Sequence, residues 1–187
     1  MRHIHPIELL GVPPKTPLAV TVDTREQDPY KFAPSYATVT VATVKLGDYA
    51  VTGDEGWAVE RKGIGDLISS FIGDNEVKKI IKMKTAFDPD WPLIYIIDSG
   101  FHKIFSWKWA RCRRATPQWL VSKLTDIERE YDVHFKHYDN RRLAAMVCLR
   151  WLKTRAKAIT NLNNVRPAPY LPWPVDAGHA SSVVDAK

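Results

Sequence analysis

Cysteine is scarce in this chain: the two cysteines, Cys112 and Cys148, lie far apart and belong to no CxxC pair. This scarcity excludes a disulfide framework and a cysteine-ligated zinc site, and it favours a reducing, intracellular compartment. Long apolar runs are also absent, since no segment approaches the roughly 18 consecutive apolar residues of a membrane span. The apolar stretch at 7–12 is too short for a signal peptide. We therefore expect a protein that is neither secreted nor embedded in a membrane.

Acidic residues are the minority among the charged ones. The 187 residues include 27 Lys and Arg against 21 Asp and Glu, which gives a formal net charge of +6. A basic excess of this size favours a polyanionic partner such as nucleic acid but does not require one. Hydrophobic residues make up 45% of the chain, enough for a single domain to bury a core without disulfides or a structural metal.

Hydrophobic periodicity and turn residues predict an α/β domain. Strands are predicted at 18–23, 38–46, 49–52, 57–62, 93–97 and 133–137, and helices at 66–87, 117–131 and 139–159. A break is expected in the first helix near Gly73. This order predicts a mixed central β-sheet flanked by helices. The domain is expected to span 1–160, with 1–17 as an N-terminal extension, and 161–187 is expected to be an extended or disordered tail that contains prolines.

A predicted hairpin at 48–62 carries the most informative charges. Glu60 and Lys62 are two residues apart on a strand, so their side chains point to one face. Asp48 lies on the preceding strand, across a turn. A carboxylate pair can hold Mg²⁺, which prefers oxygen ligands and activates water for phosphodiester cleavage, and a lysine can neutralise the developing charge. Taken alone, such a triplet is more often a set of solvated charges on an exposed sheet face.

The register of this hairpin tests the idea. A four-residue loop at 53–56 would pair Asp48 with Arg61, and Asp48 and Glu60 would then lie on opposite faces of the sheet. A shared site requires an irregularity, and Gly47 is the natural place for it because glycine tolerates unusual backbone angles.

The wider pattern reads VDTREQ at 22–27, GDY at 47–49 and VERKGIGDLISS at 59–70. It resembles the nuclease domain of the XPF-type (XPF/Hef-like) structure-specific endonucleases, whose signature is Asp-x-Arg-Glu, then Gly-Asp, then Glu-Arg-Lys-x-x-x-Asp. The resemblance covers roughly 19–159. It implies a restriction-endonuclease-like core that uses Mg²⁺ or Mn²⁺.

Site residues follow from the resemblance. It implies that Asp48, Glu60, Asp23 and Glu26 are metal ligands or acids near the metal, and that Lys62 is the catalytic lysine. Arg61 would act in or beside the catalytic site, and Arg25 and Asp66 would support it. The alternatives are purely structural roles: Asp23 caps a turn, Arg25 and Glu26 form a surface ion pair, and Asp66 is the N-cap of its helix.

The chain departs from the family in two ways. Many members carry an Arg and a Gln where this chain has about Asn75 and Lys79. Many also carry tandem helix-hairpin-helix motifs, which are not found after 160. A stand-alone nuclease domain would obtain its DNA affinity from its own surface, from homodimerisation or from a protein partner. Small versions of this kind suggest a bacterial or phage-infected cytoplasm, or the nucleus of a eukaryote.

A basic, acid-free segment at 101–116 interleaves aromatics with cations, and five of the cations are candidate DNA contacts: Lys103, Lys108, Arg111, Arg113 and Arg114. The alternative is that its aromatics pack inward. The last helix is also basic, at 141, 142, 150, 153, 155 and 157, which indicates a solvated face more often than a DNA surface. Its apolar side is predicted to face the core or a dimer partner.

The favoured function is a metal-dependent endonuclease that cuts branched DNA, such as flaps, forks or junctions, in DNA repair or recombination. A non-catalytic DNA-binding or partner subunit is the alternative, and a protein-interaction module is a weaker third. The complete set of Asp23, Asp48, Glu60 and Lys62 favours the enzyme, because a degenerate copy would usually have lost a member.

Overall fold

A computed structural model describes residues 10–106 and 115–160. Its strands are β1 Leu18–Asp23, β2 Ala37–Ala42, β3 Tyr49–Val51, β4 Val59–Lys62, β5 Leu93–Ile97 and β6 Val133–His137. Its helices are α1 Ile64–Ile72, α2 Asn75–Ala86, α3 Lys103–Ser106, α4 Pro117–Tyr131 and α5 Arg141–Thr160. The predicted tail at 161–187 and the cations at 108, 111, 113 and 114 lie outside the described residues.

The six strands form one mixed sheet in the order β2-β1-β3-β4-β5-β6. Strands β4, β5 and β6 are parallel to one another, β2 is parallel to β1, and β3 is antiparallel to both of its neighbours. The predicted α/β class with a mixed sheet is therefore confirmed. Every residue of the apolar run in β5 is buried, as expected for a central strand with helices on both faces.

One predicted strand was too long. The alternating pattern at 38–46 predicted a single strand that runs on into the hairpin, but β2 ends at Ala42 and occupies the edge of the sheet beside β1. Residues 43–48 are a connection whose backbone serves the site: Val44 N–H donates to the Asp23 carboxylate at 2.7 Å. A propensity pattern cannot foresee this use of backbone groups.

The helices lie on opposite faces of the sheet. Lys62 of β4 reaches Glu76 of α2, whereas the adjacent Arg61 points the other way and meets Asp98, which also pairs with Arg141 of α5. The expected break between α1 and α2 is confirmed at Gly73, followed by Asp74 with φ of 56°. Thr116 accepts the Trp119 N–H and caps α4, ahead of Pro117 at its first position.

Helix α5 contains a correction. Arg155, which the sequence pattern assigned to the basic polar face, is buried with 5% exposure. Its guanidinium pairs with Asp54 and with Asp88, each at 2.7 Å, and lies 5.0 Å from the centre of the Trp91 ring. It therefore ties α5 to the β3–β4 turn inside the protein. Within the described ranges, none of the helices combines the length and apolar character needed to cross a bilayer.

Candidate active site

The β3–β4 hairpin brings Asp48 and Glu60 together. Tyr49 pairs with Val59, one residue out of the register that a four-residue loop would give, so Asp48 falls opposite Glu60. Asp48 N–H donates to the Val59 carbonyl at 2.9 Å, and Asp48 Oδ2 accepts the Arg61 N–H at 2.7 Å. The two carboxylates therefore share the face of the sheet that α2 covers.

The irregularity expected at Gly47 is confirmed, because this residue has φ of +87°. A Cβ at Gly47 would lie 2.8 Å from the Cβ of Ala58. Glycine is thus required both for the left-handed backbone and for the close approach of β4. The unusual backbone at 47 is what sets the register of the carboxylates.

Glu60 is the buried centre of the site, with 1% exposure. Its Oε1 accepts hydrogen bonds from two ammonium groups, Lys62 Nζ at 3.1 Å and Lys79 Nζ at 2.5 Å. Its Oε2 is buried and has no hydrogen-bond partner in the part of the chain that the structure describes. A buried carboxylate oxygen without a donor is costly, so this atom marks a position that a cation or a donor would stabilise.

Lys62 is held from two sides. Its ammonium lies 2.9 Å from Oε2 of the buried Glu76 as well as beside Glu60, and the Tyr95 hydroxyl donates to Glu76 Oε1 at 2.8 Å. Burial alone would lower the pKa of Lys62, but the two glutamates outweigh it and raise this pKa. The lysine therefore stays protonated, as an electrostatic partner or hydrogen-bond donor rather than a base.

Among the carboxyl groups of the site, Asp48 has a pKa that is raised well above its usual value. Burial, and then the neighbouring Glu60 carboxylate, raise its pKa to about 7, although the Arg61 N–H and Lys79 oppose the shift. A carboxyl group whose pKa is raised by burial and by a neighbouring carboxylate would be stabilised in its ionised form by a metal cation.

Asp23 and Arg25 form a separate support beneath this site. The Asp23 carboxylate accepts the Arg25 N–H at 2.8 Å, its Nε at 2.6 Å and the Val44 N–H at 2.7 Å. Burial would raise the pKa of Asp23, but these donors outweigh it and lower this pKa. Asp23 N–H donates to the Asp48 carbonyl at 2.9 Å, so these hydrogen bonds hold Asp48 in place just before β3 begins. The ion pair considered for Arg25 with Glu26 is replaced by one with Asp23.

Arg61 and Glu26 lie on the opposite face. Arg61 donates to Glu26 at 2.8 Å and to Asp98 at 2.7 Å. Arg141 donates to the same Asp98 oxygen at 2.8 Å, and the Tyr30 hydroxyl donates to the other oxygen at 2.5 Å. Both guanidinium groups lie over the Tyr30 ring, at 5.6 and 5.3 Å from its centre.

Asp66 is not the N-cap of its helix. Gly63 occupies that position, and Asp66 is an exposed acid in the first turn of α1, where it favours the helix dipole. Lys103, the candidate DNA contact within the described ranges, lines an open cleft of about 720 Å³ together with Asp98, His102, Ser106 and Asp139. The cleft lies at the carboxyl ends of β5 and β6. Phe101 and Phe105 beside it are 44% and 55% exposed.

A family model for the ERCC4 domain matches residues 22–148, more than half of the chain and all of the site. The chain belongs to the ERCC4 domain family. Membership confirms the XPF-type resemblance and implies the class of structure-specific DNA nucleases.

This ERCC4 domain is similar to proteins with which it shares less than 30% identity. Over 91 residues, the chain is 28% identical to a Methanocaldococcus jannaschii protein described as an ATP-dependent RNA helicase, a match that covers 49% of this chain and 11% of that protein. Two solved structures of XPF from Aeropyrum pernix, the second in complex with DNA, have TM-scores of 0.56 and 0.55 at 16% and 20% identity. They match 75% and 80% of this chain and 68% and 70% of theirs. At these identities the likeness is one of fold.

The donors in this ERCC4 domain suit a small metal site. Among residues 10–106 and 115–160, no group of three or more Asp, Glu, His or Cys side chains is arranged to hold a metal ion. Asp48 and Glu60 form a pair, while Asp23 and Glu26 are engaged by arginines. Mg²⁺ commonly uses one or two carboxylates and completes its shell with water and phosphate. The orphaned oxygen of Glu60 beside Asp48 therefore fits Mg²⁺ or Mn²⁺.

Several groups of the ERCC4 site were not predicted from the sequence, among them Glu76, Tyr95 and Asp98. Asp98 follows β5, and the carboxyl ends of parallel strands are where functional groups collect, so its position offered a signal. Glu76 offered none, because a glutamate in the first turn of a helix is ordinarily a solvated charge. Its 2% exposure follows from the packing of α2 against the sheet, where Glu76 contacts Lys62 of β4 and Tyr95 of β5.

Proposed function

We propose that this ERCC4 domain is a divalent-metal-dependent endonuclease that hydrolyses phosphodiester bonds in branched DNA, such as flaps, forks or junctions. One observation carries the proposal: the half-buried Asp48 and the buried Glu60 lie together beside the Lys62 ammonium, and one Glu60 oxygen has no hydrogen-bond partner among the described residues. Family membership supports the class of reaction.

Each residue has a distinct task in this proposal. Asp48 and Glu60 would hold Mg²⁺ or Mn²⁺, which would polarise the phosphate and lower the pKa of a bound water. Lys62, fixed by its glutamates, is placed to neutralise charge that develops on the phosphate. Asp23 and Arg25 keep the Asp48 strand in register through backbone contacts, a positioning role we favour over direct ligation by Asp23.

The network on the opposite face of the sheet supports β4. Arg61 uses its backbone N–H for Asp48 and its side chain for Glu26 and Asp98. We assign Arg61 and Glu26 to this support rather than to the metal. Breaking either contact would free the end of β4, which carries both Glu60 and Lys62.

DNA is proposed to lie along the cleft at the carboxyl ends of β5 and β6. Lys103 is exposed there to meet phosphates, and the exposed rings of Phe101 and Phe105 can stack on unpaired bases. The cations Lys108, Arg111, Arg113 and Arg114 stay candidate DNA contacts by sequence alone, since they lie outside the described residues. Homodimerisation, or a protein partner, would add the affinity that a single small domain lacks, in DNA repair or recombination.

Cleavage of labelled flap, fork, four-way-junction and plain duplex DNA, with Mg²⁺, Mn²⁺ or chelator, tests the proposal. The wild type is expected to cut the branched substrates with either metal. Asp48→Asn, which removes the charge and keeps the shape, is expected to bind them with unchanged affinity and to lose at least about 10²-fold in rate.

Asp90→Asn is the matched control, because Asp90 is an exposed aspartate away from the site. It should cut at the wild-type rate. A wild type that binds branched DNA but cuts it with neither metal would reject the enzyme in favour of a non-catalytic partner subunit. Binding that shows no salt dependence would reject both and favour a protein-interaction module.

DNA placement has its own test. Lys103→Ala should weaken branched-DNA binding and reduce the slope of log affinity against log salt by about one. Arg129→Ala is the control, since Arg129 is exposed near the end of α4, just before the amino end of β6, whereas the cleft lies at the carboxyl end of that strand. Equal losses in both variants would show that the cleft is not the DNA path.

A further inference from the structure

Glu60 is in contact with two lysines that differ in their surroundings. Lys62 lies between Glu60 and Glu76 and its side chain is 14% exposed, whereas the side chain of Lys79 is 31% exposed and its ammonium meets Glu60 at 2.5 Å. Lys79 projects from α2 and reaches the carboxylate from the rim of the site. The two cations are therefore placed to play different parts.

Charge in the cluster is nearly balanced by these lysines. Asp48, Glu60 and Glu76 supply three negative charges when ionised, and Lys62 and Lys79 supply two positive ones. Removing the ammonium of Lys79 changes the formal charge from −1 to −2, which a single divalent cation would balance. Lys79 and a metal ion would thus satisfy the same negative charge.

We propose that Lys79 is a resident counter-ion of the metal site, which neutralises Glu60 in the metal-free protein and competes with the divalent cation for it. This inference rests on the proposed function. Lys79 contacts the same carboxylate that would bind the metal, and its long side chain can swing out through the rim. Lys62 cannot leave as easily, because it also pairs with Glu76, which the buried Tyr95 holds in place through a hydrogen bond.

This competition lowers the affinity of the site for the metal ion. A cation that must be displaced from Glu60 lowers the apparent affinity of the site for Mg²⁺ or Mn²⁺. It also stabilises the empty protein, because a buried carboxylate without a partner is unfavourable. The residue would therefore raise the metal concentration at which the site fills.

Calorimetric titration with Mn²⁺ alone, on the full chain without DNA, tests the inference. Lys79→Gln is expected to bind Mn²⁺ about tenfold more tightly than the wild type, since a unit charge beside the ligand is removed. The metal-free melting temperature of the same variant should fall, because Glu60 loses a donor. Lys79→Met, which keeps the apolar stem, should behave alike, and Lys79→Arg should retain the wild-type affinity.

Lys78→Gln is the matched control, because Lys78 is the preceding, exposed residue of the same helix and makes the same change in net charge. It should leave both the Mn²⁺ affinity and the metal-free melting temperature unchanged. Equal or weaker Mn²⁺ binding by Lys79→Gln, with wild-type binding intact, would overturn the inference and leave the proposed function standing. Absence of Mn²⁺ binding by the wild type and by both neutral variants would overturn the two together.

Discussion

Removing the charge of Asp48 is expected to stabilise the metal-free protein. Burial and the neighbouring Glu60 raise the pKa of Asp48 from 3.8 to about 7, so ionising this residue in the folded state is unfavourable. Asp48→Asn is the neutral isostere and keeps an acceptor for the Arg61 N–H. A substitution that abolishes the proposed activity should therefore make the empty protein more stable.

The magnitude follows from the displaced pKa. Each pKa unit corresponds to about 1.36 kcal/mol, so the shift from 3.8 to about 7 amounts to about 4 kcal/mol. Because the folded pKa lies above the unfolded one, the stabilising contribution is fully present below pH 3.8 and is lost as pH rises through 7. Wild type and Asp48→Asn should differ by less than about 1 kcal/mol at pH 4 and by about 3–4 kcal/mol at pH 8.

Urea denaturation in chelator, at half-unit steps from pH 4 to 8, measures this difference. For a domain of this size the gap at pH 8 corresponds to a rise of roughly 10 °C in melting temperature. Asp90→Asn, at an exposed position, controls for the loss of one negative charge and should follow the wild type within about 0.5 kcal/mol. If Asp48→Asn is less stable than the wild type at pH 8, or if the difference is flat across pH, burial and the neighbouring Glu60 do not raise the pKa of Asp48 as the structure implies.

Two further predictions concern the frame of the site. Gly47→Ala should cost about 2–4 kcal/mol in the free energy of unfolding, through positive φ and the clash with β4, whereas Gly53→Ala, with the same φ of +87° but open space, should cost about 1 kcal/mol; equal costs would contradict the close approach. Arg155→Met should cost about 3–5 kcal/mol, because it leaves two aspartates without their cation, whereas the exposed Lys157→Met should stay within about 0.5 kcal/mol. Both pairs are compared by chemical denaturation.

Four elements could be predicted with the bounds that the structure has: β1, β5, β6 and α4. In each, the local pattern and the burial agree, as in the continuous apolar run of β5 or the capping of α4 by Thr116. The extent of β2 could not be predicted, because residues 43–46 have strand-like composition while their backbone is used by Asp23. Tertiary contacts decide such cases, and local propensity carries no trace of them.

The site, too, could be predicted only in part: the residues that lie on one strand could be predicted, and those that come from other elements could not. Residues on β4 could be predicted to share a face, because a two-residue period follows from strand geometry, and the contact of Lys62 with Glu60 is a consequence. Glu76 and Asp98 come from other elements: the packing of α2 brings Glu76 to the hairpin, and the pairing of β5 with β4 brings Asp98. The sequence shows which charged residues the chain has, but the packing of its helices and the pairing of its strands decide which of them come into contact.

The register of the β3–β4 hairpin depends both on the local sequence, through Gly47, and on the packing of β3 against β4. Asp48 shares a face with Glu60 because one glycine adopts φ of +87° and moves the pairing by one residue. Alternation along β4 turns the Arg61 side chain to the opposite face, where Asp98 and Glu26 bind it, and the shifted register presents its backbone N–H to Asp48. A restored regular hairpin would therefore separate the carboxylates and remove the Arg61 N–H from Asp48 together. The loss of the candidate metal site and the loss of stability in Gly47→Ala should accordingly appear in one variant, although Gly47 contributes no side chain to either.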